Sequence, residues 1–222
     1  MSNPIRAVIW DLDGVIIDSA EEHRRAWLRL AREEDVPFTD ADFWSTFGKR
    51  NDDIFAEKWR PLAPEQVHSL AARKEAYYRE YIREMAVPLP GAMELMRALH
   101  EAGFLQALAS STPAENIQLI SDILGLKHYL TALISGETVP RGKPAPDIFL
   151  AAAQSLRIDP VNCLVIEDAV AGVEAAHAAG MRCIAVAGNR DLPGLRKAEL
   201  MVKDLTEVSV ARIRELAGPV KQ

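Results

Sequence analysis

Apolar residues along the chain fall into two rhythms. Short β-branched runs at 5–10, 104–109, 132–134, 163–166 and 183–186 predict strands. Longer amphipathic stretches such as 92–102 and 169–179 predict helices, and each is followed by a glycine, Gly103 or Gly180, suited to the left-handed position after a helix. Strand and helix in alternation imply βαβ units with right-handed crossovers. The expected fold is therefore α/β, a doubly wound parallel-sheet (Rossmann-like) core. From Ser19 to Ala86 the rhythm breaks: 21–34 and 64–84 are helix-like and no strand pattern occurs, which predicts an inserted all-helical cap domain. It ends at Val87-Pro88-Leu89-Pro90-Gly91, where each proline biases the preceding residue away from helix. The expected domains are a catalytic core of 1–18 and 87–222 and a helical unit of 19–86.

Composition narrows the partners. At 222 residues, with 49% hydrophobic and 26% charged, the chain has room for a full α/β domain and a smaller inserted one. The net charge of −6, with no Lys/Arg-rich run, argues against nucleic acid and anionic membrane. No stretch of about 18 apolar residues occurs, nor a cationic start leading into an apolar run. A soluble, unprocessed, cytoplasmic chain is expected, as a monomer or weak homo-oligomer. Cys163 and Cys183 lack a C-x-x-C spacing and read as buried free thiols.

The first strand runs straight into Asp11-Leu12-Asp13-Gly14, placing two carboxylates at its carboxyl end, where open α/β sheets bind ligands. Such a pair can hold a hard cation, with Asp11 attacking phosphorus and Asp13 moving protons. Alone, D-x-D-G is equally a polar strand-end turn. Three further strand ends add to it. Ser110 closes the second run, where its hydroxyl and nearby N–H groups, with Ser111 beside it, can donate to a phosphate. Thr112, with Pro113 and Glu115, reads better as a helix capping box. Lys143, in Gly142-Lys143-Pro144-Ala145-Pro146, is either a solvated lysine or an ammonium aimed by a stiff backbone. Glu167-Asp168 follows the fourth run, and Asp168 is either a helix N-cap or a metal ligand with Glu167 as ligand or support.

In this chain order, D-x-D-G, a strand-end serine, Lys-Pro-x-Pro and Glu-Asp resemble the four motifs of the haloacid dehalogenase superfamily. The resemblance implies Mg²⁺ as cofactor, Asp11 as nucleophile, Asp13 as general acid/base and metal ligand through its carbonyl, Ser110 as phosphate donor, Lys143 as positioning lysine and Asp168 as metal ligand. The insertion resembles the substrate-selecting cap of the subgroup that holds phosphoglycolate phosphatases and β-phosphoglucomutases. His23 matches a mutase histidine that couples cap closure to Asp13. Departures fall on substrate contacts: the mutase places a phosphate-binding arginine three residues after a glycine, whereas Arg50 follows Gly48 by two, and Ala169 replaces a serine. Candidate substrate-binding residues are thus His23, Arg50, Ser111 and Lys74. The expected function is a Mg²⁺-dependent phosphatase acting on a small phosphorylated metabolite, with β-phosphoglucomutase as the alternative. A receiver-like signalling module is disfavoured, since it needs neither Asp13 nor a lid. The four tryptophans read as packing groups rather than ligand platforms.

Overall fold

Six parallel strands lie in the order β3-β2-β1-β4-β5-β6 in the computed structural model, which describes residues 4–188, 190 and 192–217. The strands are β1 (Ala7–Trp10), β2 (Leu105–Ser110), β3 (Ala132–Ser135), β4 (Cys163–Glu167), β5 (Arg182–Val186) and β6 (Leu200–Val202). Five match the expected runs, and β6 is an addition only three residues long. β1 sits centrally, with Trp10 opposite Leu108 on one side and Ile166 on the other.

The sheet is covered on both faces, as its apolar strands require. Val8, Trp10, Leu108, Leu164, Ile166 and Ile184 face one layer, where α5 (Ala92–Glu101), α6 (Ala114–Leu124) and α9 (Val210–Glu215) contribute Leu95, Met96, Leu99, Ile117, Ile120 and Ile213. The alternate residues Ala7, Ile9, Ala107, Ala109, Val165 and Ala185 meet α7 (Asp147–Leu156) and α8 (Val170–Ala178) on the other face. Gly103 and Gly180 adopt φ of +80° and +73° behind their helices, as the sequence predicts.

Between β1 and α5 lie α1 (Ala20–Glu33), α2 (Asp40–Thr46), α3 (Asn51–Lys58) and α4 (Pro64–Ile82), with no strand among them. His23, Ala26, Trp27, Leu30 and Ala31 put the buried stripe of α1 at helical spacing. Trp27, Leu30, Phe43, Ile54, Phe55, Trp59 and Leu70 form an apolar cluster of their own, while Ala26, Tyr78 and Ile82 join the core cluster beside Val15, Ile16 and Ile17. α2 is held at its start by a reciprocal Thr39/Asp42 capping box. The chain enters and leaves this unit side by side: Leu89 N–H donates to the Ile16 carbonyl at 2.8 Å, and Ile17 bridges Pro88.

Candidate active site

Because all strands point the same way, their carboxyl ends share one edge, and Asp11, Ser110 and Glu167 come together there. Asp11 is the first residue past β1, and its N–H still bonds the Ile166 carbonyl at 3.0 Å. Lys143 reaches in from the loop before α7 and donates to Asp11 Oδ1 at 2.6 Å and to Glu167 Oε1. The other oxygen of Glu167 accepts the N–H groups of Asp168 and Ala169, both at 2.7 Å. Arg190 donates to Asp168 Oδ2 at 2.7 Å.

Asp11, Glu167 and Asp168 are all buried, and each presents an oxygen within 4.8 Å of the others. Burial raises the proton affinity of Asp11 well above the usual carboxylate range despite the attraction of Lys143. Burial and then Glu167 push Asp168 up to about 7, with Arg190 acting in the opposite direction. The cluster is short of positive charge, and its donors are hard oxygens, so it fits a magnesium ion. Two glycines keep it open. A Cβ on Gly14, whose φ is +81°, would overlap the Asp168 carboxyl group, and one on Gly172 would overlap that of Glu167.

Asp13 stands apart from this cluster. Its Oδ1 accepts from the Ser19 hydroxyl and lies 3.5 Å from His23 Nε2, and its Oδ2 accepts from the Thr112 hydroxyl at 2.7 Å. Burial alone would raise its pKa, but the bonds from His23, Ser19 and Thr112 outweigh it and hold the carboxyl far below the usual range. His23 stacks on Tyr78, with ring centroids 3.8 Å apart, and its Nδ1 lies 2.8 Å from Lys74 Nζ. An ammonium only donates, so Nδ1 accepts and Nε2–H faces Asp13. Lys74 also donates to Glu75 Oε1 at 2.8 Å. Glu75 accepts further from Asn51 at 2.8 Å and Asn116 at 2.6 Å. Burial opposes the charge on Glu75, yet Lys74, His23 and these donors keep its pKa below normal.

The structure thus gathers Asp11, Asp13, His23, Lys74, Ser110, Ser111, Lys143, Glu167 and Asp168 around one cavity of about 50 Å³. Trp27, Phe43, Ile54 and Lys74 of the helical unit line it together with the strand-end residues, so the cavity lies where the two parts meet. Arg50 is not among them. It occupies the N-cap position of α3 and turns outward to Asp53 (3.2 Å) and the Val139 carbonyl (3.4 Å), while Asn51, one residue on, lines the cavity.

One local expectation is corrected and one open alternative is removed. Thr112 does not cap α6: Pro113 holds the cap position without a side-chain bond, and Glu137 takes the Ala114 N–H at 3.0 Å. Its hydroxyl goes to the buried Asp13 carboxylate instead, a stronger charge-assisted bond. Asp168 is no N-cap either, since Ala169 holds that position before α8. Sequence reasoning also passed over Ser19, Asn51, Glu75, Asn116 and Arg190. Only Asn51 carried a signal, because it is the residue three positions after Gly48.

A twisted parallel sheet whose strand ends carry this carboxylate and lysine set defines a hydrolase class, and residues 5–180 match the haloacid dehalogenase-like hydrolase family. The chain belongs to that family. Among its relatives is the validoxylamine A 7'-phosphate phosphatase of Streptomyces hygroscopicus subsp. limoneus, 34% identical over 91% of this chain and 95% of the relative. The β-phosphoglucomutase of Bacillus subtilis (strain 168) is 33% identical over 95% of both. A crystal structure of β-phosphoglucomutase from Clostridium difficile superposes with a TM-score of 0.87 at 29% identity, covering 96% of this chain and 97% of that one. Among the described residues no helix is long and apolar enough to cross a membrane.

Proposed function

We propose that the chain is a magnesium-dependent phosphatase of small phosphorylated metabolites, working through an aspartyl-phosphate on Asp11, with residues 19–86 as the cap that closes over the substrate. The observation that carries this is the division of carboxylates. Asp11 sits against Lys143 at 2.6 Å within the acidic cluster, while Asp13 has a separate set of donors.

An Asp11 oxygen attacks phosphorus as the bond to the leaving alcohol breaks. Lys143 holds the nucleophile and faces the charge of the transferring group. Asp13 gives its proton to the departing oxygen. In the free protein its donors keep it ionised, and an arriving phosphate anion favours the protonated form. Asp13 then takes a proton from the water that attacks the aspartyl-phosphate, releasing phosphate and restoring Asp11. Asp11, Asp168 and the Asp13 carbonyl would hold magnesium, with Glu167 anchoring Lys143 behind them. Bound there, magnesium would supply positive charge that offsets the repulsion of the two anions. Ser110 and Ser111, which border the same cavity, would donate to phosphate oxygens.

Relatives include hexitol phosphatases A and B of Escherichia coli (strain K12) as well as the mutase. The outward turn of Arg50 favours the phosphatase. A panel of phosphomonoesters, assayed with Mg²⁺ and with or without glucose 1,6-bisphosphate, separates the two. Phosphate release without bisphosphate is expected, with no useful conversion of β-glucose 1-phosphate to glucose 6-phosphate. Rapid bisphosphate-dependent conversion lost in Arg50→Ala would establish the mutase instead.

A further inference from the structure

The cap wall of the cavity has a charge pattern that the catalytic residues do not explain. Opposite the nucleophile it is built from Asn51, Glu75 and Lys74, with Trp27, Phe43 and Ile54 around them. Lys74 is the one cation of this group, and it is engaged by His23 and Glu75 at 2.8 Å each. Lys49 borders the cavity but pairs with Glu57 at 2.5 Å, and Arg50 turns to Asp53. The two lysines of the wall, Lys49 and Lys74, are thus each paired with a glutamate, and it presents no unpaired cation among the described residues.

What it does present are acceptors. Glu75 Oε2 takes a single bond, from Asn116, which leaves lone-pair capacity on a buried carboxylate. Asn51 spends its amide on Glu75, and its carbonyl oxygen has no partner among the described residues. Acceptors lining a cavity favour ligands that bring O–H or N–H donors, and a phosphate or carboxylate placed there would lie against Glu75 with no unpaired cation beside it among the described residues.

We propose that Glu75 and Asn51 make this wall select phosphomonoesters of uncharged polyhydroxylated alcohols and reject substrates that carry a second phosphate. The selection rests on the phosphatase assignment above and adds the leaving-group class to it. Hydroxyl groups of the alcohol donate to the free acceptor positions of Glu75 and Asn51. Asn116 and Arg79 stand behind: Arg79 donates to Asn116 Oδ1 at 2.9 Å, which turns the Asn116 amide toward Glu75.

A matched pair tests this, sorbitol 6-phosphate against sorbitol 1,6-bisphosphate, with p-nitrophenyl phosphate as an undemanding third substrate, all with the Mg²⁺-loaded enzyme. The kcat/KM ratio of the pair is expected to favour the monophosphate by about 10²-fold or more, since a site with unmatched buried polar groups discriminates strongly. In Glu75→Gln, and separately in Asn51→Arg, that ratio should fall at least about tenfold. General damage to the catalytic residues cancels in a ratio. Aryl phosphate hydrolysed while the bisphosphate is accepted as well as the monophosphate would overturn the selection and leave the phosphatase standing. A high wild-type ratio unmoved in both variants would overturn the assignment to Glu75 and Asn51. No hydrolysis of any of the three would remove the phosphatase assignment and the selection together.

Discussion

Thr112→Val replaces a hydroxyl by a methyl of similar size, so it removes one hydrogen bond and little else. That bond is 2.7 Å long, ends on a carboxylate and lies in the cavity wall. Hydrogen bonds to charged groups contribute about 1.5–3 kcal/mol, which corresponds to roughly 10- to 150-fold in rate if the bond orients Asp13 during proton transfer. The bond favours the ionised carboxylate, so its loss raises the proton affinity of Asp13. Because Asp13 must carry a proton when the alcohol leaves, the alkaline limb of the pH–rate profile should then move upward by about one to two pH units, at about 1.36 kcal/mol per unit. Steady-state phosphate release across pH, set beside thermal melts, separates this from a helix cap. A lost cap would lower the melting temperature by the equivalent of about 1 kcal/mol and leave kcat alone. Thr112→Ser keeps the hydroxyl and should keep most of the rate. Unchanged kcat and pH profile in Thr112→Val would refute the placement of Thr112 on Asp13.

Asp11→Asn should lower turnover by about 10³-fold or more without loss of fold, because an amide is a poor nucleophile; more than a tenth of wild-type activity would exclude Asp11 as the attacking group. Metal-free protein should lose stability as pH rises from about 5 to 8, because Asp168, at about 7, binds protons in the folded state that the unfolded chain has already released. Magnesium should reverse this, raising the melting temperature more at pH 8 than at pH 5.5, and an equal gain at both would contradict the cluster's charge deficit. Gly172→Ala pushes a methyl into the Glu167 carboxyl group. It should cost about 1–3 kcal/mol and weaken Mg²⁺ binding measured by calorimetry, and wild-type affinity would show that Glu167 does not shape the site.

The parts legible in the sequence are those in which one residue's chemistry and its place at a strand end coincide. Asp11, Ser110 and Glu167-Asp168 each follow a run of apolar residues, so strand periodicity placed them near one edge, whereas Lys143, in a stiff loop, was open between a solvated and an aimed lysine until the family resemblance singled it out. β6 was missed because Leu200, Met201 and Val202 are too few to show a period, and only pairing with β5 makes them a strand. Thr112 was misread because its local spacing with Glu115 satisfies a capping box, while its actual partner, Asp13, is 99 residues away. Glu75 lay beyond reach for the same reason, and Asn51 was marked only by its place three residues after Gly48. Their meaning arises only when α3, α4 and α6 are brought together around the cavity, and nothing local marks a lone glutamate on an amphipathic helix as buried. His23 was open between packing and function, and it both stacks on Tyr78 and lies 3.5 Å from Asp13.

The two crossings between core and helical unit are themselves joined, Leu89 to Ile16 and Ile17 to Pro88. The sheet therefore experiences the whole intervening segment as a single loop whose ends are already tied. Closing a longer loop costs only about 0.6 kcal/mol per doubling of its length, so a change in the length of that segment by itself puts little strain on the strands it joins. Asp11, Glu167 and Asp168 take their side-chain and N–H partners from residues outside 19–86, whereas Asp13 takes Ser19 and His23 from within it, so a change in that segment bears on one carboxylate and spares the other three.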